Sequence, residues 1–112
     1  MMPLLIAVCL ITSRMYWAVD LATYATSGTY HTHIQVDGYV NYTACEADGD
    51  IHIRMTPAIG NSSPFIIAEC MPELPCVRPA LNSHIRVKGI SRRDSEHGWN
   101  EVHPVESIVI LQ

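Results

Sequence analysis

An all-β domain, rolled into a small barrel of five strands, is the fold class that this chain predicts. Three observations carry it. Apolar and polar residues alternate with a period of two in several separate stretches, the pattern of half-buried strands. Turn residues, Asp48-Gly49-Asp50 above all, punctuate those stretches. No long run with helical spacing lies between them. At 112 residues the chain makes one domain, and a domain of that size buries a core without metal or disulfides. Hydrophobic residues at 48% against 16% charged exclude a disordered chain.

The elements follow in order. Residues 1–12, MMPLLIAVCLIT, form an uncharged apolar run, shorter than the roughly 20 residues of a membrane-spanning helix. The run has the length of a signal-peptide core. No basic residue precedes it, Arg14 follows it, and Tyr16 and Thr23 stand two residues before the small residues Ala18 and Ala25, a poor cleavage context. A short helix packed on the barrel, or a segment ahead of the true domain, is the alternative. Exported (periplasmic) and cytoplasmic locations therefore both stand. Met15, Val19 and Ala22 predict a short helical or irregular lead-in, with a linker around Thr26–Thr29. The division is thus an apolar N-terminal segment over residues 1–30 and a barrel over 31–112.

Ile34, Val36, Tyr39 or Val40, and Tyr42 alternate through a long first strand, 33–47, with Gly38 marking a bulge or tight bend. Asp48-Gly49 predicts a hairpin with a type I′ turn. Ile51, Ile53 and Met55 alternate with His52, Arg54 and Thr56 in the second strand, 51–56. A third apolar strand is FIIAEC, 65–70. Pro72, Pro75 and Pro79 forbid a regular helix after it. Two last strands, 84–92 and 101–111, flank a charged loop that closes on Gly98 and Trp99. Five strands with a long, bent first member predict an OB-type Greek-key barrel. A two-sheet Greek-key sandwich is second, since it wants about seven strands.

Charge narrows the partners. The net charge is −4, all of it in residues 31–112, where six bases face ten acids. Acidic domains are poor partners for a phosphate backbone. Single-stranded nucleic acid and protein remain the two partner classes. The outward row His52, Arg54, His84, Arg86 and Lys88 offers charge, with Tyr39 and Tyr42 as its rings; a solvated strand face is the plainer reading. The cysteines, Cys9, Cys45, Cys70 and Cys76, contain no CxxC pair and no zinc spacing. Cys70 and Cys76 bridge a short loop if the chain is exported, and remain small apolar residues if it is not.

Two clusters carry chemistry. Asp48, Asp50, Glu69 and Glu73 supply oxygens of the kind that hold calcium, against the plain role of aspartates in turns. The tract His97-Gly98-Trp99-Asn100-Glu101-Val102-His103-Pro104 offers His97 and His103, with the acids Glu96 and Glu101, as a second metal or acid–base set. That set needs His52 or His84 from another strand to complete zinc coordination. Its plain reading has Trp99 plugging the barrel mouth and both histidines bonded to hairpin backbone. No Gly-x-Ser-x-Gly, phosphate loop or dinucleotide fingerprint occurs.

The Asp48-Gly49-Asp50 hairpin, an apolar strand ending in Glu69, and Pro72-Glu73 resemble the thermonuclease branch of OB folds. The tract Lys88–Asp94 with His97-Gly98 is similar to that family's basic loop. The resemblance implies calcium on Asp48, Asp50 and Glu69, with Glu73 assisting the attacking water. Two phosphate-gripping arginines are also implied. The family's positions for them hold other residues here, Trp99 among them, so Arg54, Arg92 or Arg93 would have to serve. Ile51 stands where the family has threonine. The combination Asp-Gly-Asp…Glu-His-Gly-Trp…Glu-Val-His-Pro also resembles small bacterial OB-like proteins, a resemblance that carries no activity. The expectation is a non-catalytic OB-type binding or interaction module. Its rivals are a divalent-metal phosphodiesterase of the thermonuclease kind and an exported structural envelope protein.

Overall fold

A computed structural model describes residues 14–73 and 78–112. The apolar run 1–12, with its signal-peptide reading, and Cys76 lie outside the described residues. The elements are β1 (Trp17–Val19), α1 (Leu21–Ser27), β2 (His33–Cys45), β3 (Ile51–Thr56), β4 (Ile66–Cys70), β5 (His84–Asp94) and β6 (Trp99–Ile110). The sheet runs β1-β2-β3-β4-β6-β5, and β2 pairs again with β5. That last pairing, His33–Tyr39 against His84–Ile90, closes the barrel. β4 and β6 pair in parallel while the other barrel neighbours are antiparallel. This is the five-stranded OB-type barrel that the alternation predicts, with β1 as an added parallel strand on β2.

The alternation builds the core directly. On β2, Ile34, Val36 and Val40 point inward; Ile53 and Met55 follow from β3, Ile66 and Ala68 from β4, Ile85 and Val87 from β5, and Val102 and Val105 from β6. Burying each such aliphatic side chain contributes roughly 1.5–3 kcal/mol. α1 adds Leu21 and Tyr24 to the same core. Its start is capped by Asp20, whose carboxylate accepts from the Thr23 N–H at 3.0 Å, and its end by the Gly28 N–H on the Tyr24 carbonyl at 2.9 Å. The Tyr24 hydroxyl donates to the Glu101 carbonyl and accepts from the Arg92 N–H at 3.2 Å. Burial pushes the Tyr24 phenol up to about 12. Asn100 donates to the Tyr24 carbonyl at 2.8 Å, so the helix is pinned to β6.

Three expectations need correction. The lead-in holds the expected short helix, but it begins at Leu21 and Trp17–Val19 ahead of it is a strand, because pairing with Ile34–Val36 gives its backbone partners that helical spacing ignores. The bulge in β2 falls between Val40 and Tyr42, not at Gly38, which pairs regularly with Ile85. Gly38 serves close approach instead: a Cβ there would lie 2.4 Å from Leu21 Cδ1 and 3.0 Å from the Thr56 carbonyl oxygen. The third concerns the first hairpin. A type I′ turn needs positive φ at both central residues, and Asp48 does not have it. The Gly49 N–H closes instead on the Glu46 carbonyl at 2.9 Å, the Glu46 N–H on the Asp50 carbonyl at 2.8 Å, and Gly49 alone takes φ +95°. That is a three-residue loop with a glycine bulge.

No helix among the described residues is long and apolar enough to cross a membrane. Cys70 is disulfide-bonded.

Candidate functional site

The site lies on the outer face of β3, β4 and β6, and strand register builds it. Ile53 and Met55 face inward, so His52 and Arg54 face out. Ile66, Ala68 and Cys70 face inward on β4, so Ile67 and Glu69 face out. Pairing sets His52 beside Glu69 and Arg54 beside Ile67. It sets Ile67 beside Glu101 on β6, and Tyr42 and Ala44 of β2 beside Arg54 and His52. Glu101 and His103, two apart on one strand, share that outer face.

One half of this face is a carboxylate–histidine cluster. Ligand atoms of Glu69, Glu101 and His103 all lie within 4.8 Å of one another. His103 Nδ1 contacts Glu69 Oε2 and stands 3.3 Å from Glu101 Oε1. His52 Nε2 meets Glu69 Oε1, and the Trp99 indole N–H donates to Glu101 Oε2 at 2.7 Å. Arg92 Nη1 closes the ring at 3.1 Å from His103 Nδ1. The Glu101 side chain is 4% exposed and that of Glu69 10%. Such burial is costly for carboxylates that lack close cationic or hydrogen-bonding partners.

The other half is a cleft of about 180 Å³ lined by Tyr42, Arg54, Phe65, Ile67 and Trp99, with His52 and Glu46 at its edge. Arg54 lies over the Tyr42 ring at 5.1 Å and over the Phe65 ring at 5.2 Å, a cation held between two π faces. Phe65 meets Trp99 edge-on at 5.8 Å. His97 stacks on the far side of Trp99 at 4.5 Å, and the β5–β6 turn fixes it there. The Asp94 carboxylate accepts from the Glu96 and His97 N–H groups, both at 3.1 Å, and pairs with His97 Nδ1 at 2.7 Å. The His97 side-chain and backbone hydrogen bonds hold the Asp94 carboxyl at about 2. The Asp94 carboxylate in turn raises the His97 imidazole above its usual 6.5.

Trp99 therefore does not plug the barrel mouth; it stands outside the core as one wall of the cleft. The histidines differ from expectation in the same way, since His97 pairs through its ring with Asp94 and His103 with two carboxylates. The expected outward row divides between two faces: His52 and Arg54 with Tyr42 lie here, while Tyr39 stacks on His84 at 4.4 Å on the β2–β5 side with Arg86 and Lys88. Glu101 stands in the predicted loop tract, and what strand-by-strand reasoning missed is its meeting with Glu69, together with Phe65 as a wall of the cleft.

The remaining predicted residues are dispersed. Asp48 is exposed and caps its own turn, accepting from the Asp50 N–H at 3.0 Å; Asp50 is 8% exposed. The first hairpin does meet the segment after β4: a Cβ on Gly49 would lie 3.3 Å from Pro72 Cβ, and Glu73 follows on the surface. Among the described residues, however, the group within metal-binding distance is Glu69, Glu101 and His103, without Asp48 or Asp50. Arg93 lines a separate open hollow of about 690 Å³ with Arg92, Ser91 and the end of α1. The carbonyl-rich end of that helix opposes anions there. Compared with known proteins, the chain matches no family model and no curated protein.

Proposed function

We propose that the protein is a small, non-catalytic OB-type binding module, and that it anchors one aromatic side chain of a protein partner between Tyr42, Phe65 and Trp99. One observation carries this reading. Three rings and one guanidinium, drawn from separate parts of the chain, line a single cleft of about 180 Å³. The β3–β4 face and its flanking loops form the surface OB folds use for ligands. Binding single strands wants rings spaced along a basic groove so that successive bases stack. Here the rings converge on one cavity, the net charge is −4, and Glu46 stands at the edge. An aromatic anchor in a desolvated pocket is the commonest form of protein–protein hot spot.

The test uses the Trp17→Phe chain, in which Trp99 is the sole tryptophan. It is titrated with short peptides carrying one tyrosine, with the same peptides carrying alanine, and with a short oligothymidylate. The tyrosine peptide should change Trp99 emission, the alanine peptide should not, and Phe65→Ala should abolish the response. No response to tyrosine, or one that survives Phe65→Ala, overturns the reading. Tighter, salt-sensitive binding of the oligonucleotide replaces it with single-strand binding.

A second reading, hydrolysis of phosphodiesters with calcium on Asp48, Asp50 and Glu69, rests on the resemblance of Asp48-Gly49-Asp50, Glu69 and Pro72-Glu73 to thermonucleases. It uses Glu73 as base, and Arg54, Arg92 or Arg93 on the phosphate. Calcium-dependent cleavage of single-stranded DNA, lost in Asp50→Asn, is its signature.

A further inference from the structure

We propose that Glu69, Glu101 and His103 form a site for a divalent transition metal of the zinc class, oriented by His52 and Trp99. The argument begins with where each oxygen points. Glu101 gives Oε2 to the Trp99 N–H at 2.7 Å and turns Oε1 toward His103 Nδ1 at 3.3 Å. Glu69 gives Oε1 to His52 and turns Oε2 toward the same nitrogen. Each carboxylate thus has one oxygen held by a neighbouring ring N and the other aimed at a shared centre. Outer donors that orient metal ligands in this way are the usual second layer of a metal site.

One distance suits a small ion, while Glu69 Oε2 stands closer to His103 Nδ1 than two ligands of one ion would and has to draw back as the ion enters. In a tetrahedral site with bonds of about 2.0 Å, neighbouring ligand atoms stand about 3.3 Å apart, the separation seen between His103 Nδ1 and Glu101 Oε1. The donor chemistry also selects. Calcium wants about six to eight oxygens, whereas one imidazole and two carboxylates suit zinc, manganese or cobalt.

His103 Nδ1 is the point where two carboxylate oxygens, Glu69 Oε2 and Glu101 Oε1, meet, with Arg92 Nη1 at 3.1 Å. A metal ion would satisfy all three ligands together, with exposed Arg92 swinging out to solvent. The three ligands come from the ends of two neighbouring strands, β4 and β6, inside a rigid closed barrel, so the centre is set before an ion arrives. His52 and Trp99 also line the ring cleft, so the groups that orient the carboxylates are shared with the proposed anchor pocket.

The experiment uses the full chain after dialysis against chelator. Zinc chloride is titrated while the thermal midpoint is followed, and cobalt(II) is added separately for its visible absorption. Zinc should raise the midpoint, because an ion that binds only the folded state stabilises it. Cobalt should give the ligand-field bands of a four- or five-coordinate N/O site. Glu101→Gln should remove the zinc shift, and Trp99→Phe should weaken zinc by about tenfold or more. Arg86→Ala and Lys88→Ala should leave zinc affinity within about twofold, because both lie on the β2–β5 face away from the ligands and from Trp99. The wild-type cobalt spectrum decides the matter even if Glu101→Gln fails to fold. No midpoint shift in a hundredfold excess of zinc, an octahedral aqua-type cobalt spectrum, or loss of the shift in Arg86→Ala would each overturn the proposal. Failure of tyrosine-peptide binding alone would leave it standing.

Discussion

The barrel has two outer faces built from the same alternating pattern, and they behave differently. On the β2–β5 face every charged group has its own partner. Arg86 holds Asp37 through two bonds of 2.8 and 2.9 Å, His84 stacks on Tyr39, Lys88 sits 5.4 Å over the Tyr16 ring, and the Tyr16 hydroxyl donates to Glu106 at 2.6 Å. Tyr16 links Lys88 to Glu106, the Arg86–Asp37 and His84–Tyr39 contacts stand by themselves, and none of them closes on a shared centre. On the β3–β4–β6 face the groups converge instead: four side chains share one knot around His103, and three rings share one cleft. Pairwise closure marks a surface that only needs to be soluble. Convergence leaves donors, acceptors and rings with capacity for something further, and that is the physical mark of a binding face.

The frame that holds both faces apart can be broken first. Gly38→Ala drives a Cβ into Leu21 and the Thr56 carbonyl, and should cost about 1–3 kcal/mol, read as a lowered urea midpoint with an unchanged slope. An unaltered midpoint would mean that α1 does not pack on β2 as described.

Single-face changes sharpen the contrast. Arg86→Ala removes a pair whose partners are 38% and 36% exposed, so it should cost under about 1 kcal/mol and leave the cleft's affinity for tyrosine peptides untouched. Arg54→Ala should cost a similarly small amount, about 0.5–1 kcal/mol for an exposed cation–π contact, yet weaken peptide binding. Equal effects of the two substitutions on binding would erase the distinction between the faces.

The smallest effect is local and depends on pH. The depressed Asp94 carboxyl contributes to the β5–β6 turn above its ordinary 3.8, and that contribution is lost as pH falls through about 2. The raised His97 contributes below its ordinary 6.5 and is lost as pH rises through its higher folded value. Both contributions are complete between 3.8 and 6.5. The protection of the Gly98 amide against exchange, taken relative to its intrinsic rate at each pH, should be greatest in that window, since its N–H bonds the Asp94 carbonyl at 2.7 Å. Asp94→Asn should return the His97 titration to its usual range.

Much of the frame was legible before any coordinates. The period-two alternation in 33–40, 51–56 and 84–90 is a one-dimensional signal, and it names the inward residues directly. β1 was not legible, because three residues that pair with a distant strand leave no period of their own. The helix start was open to reading, since Asp20 three residues before Thr23 is a capping signature. The cleft was hidden for a different reason. Tyr42, Phe65 and Trp99 are 23 and 34 residues apart, and only the register of neighbouring strands brings them together. Glu101 and His103 carried a usable signal, because residues two apart on a strand share a face. Their convergence with Glu69 needed the parallel β4–β6 pairing, which nothing local encodes.

The most direct measurement is a map of backbone amide shifts as a tyrosine peptide is added to the isotope-labelled chain. The account predicts shifts confined to Tyr42, Ala44, Arg54, Ile67 and the Trp99 indole N–H, with Asp37, His84 and Arg86 unmoved. Shifts centred on Asp37 and Arg86, or spread evenly over both faces, would contradict it.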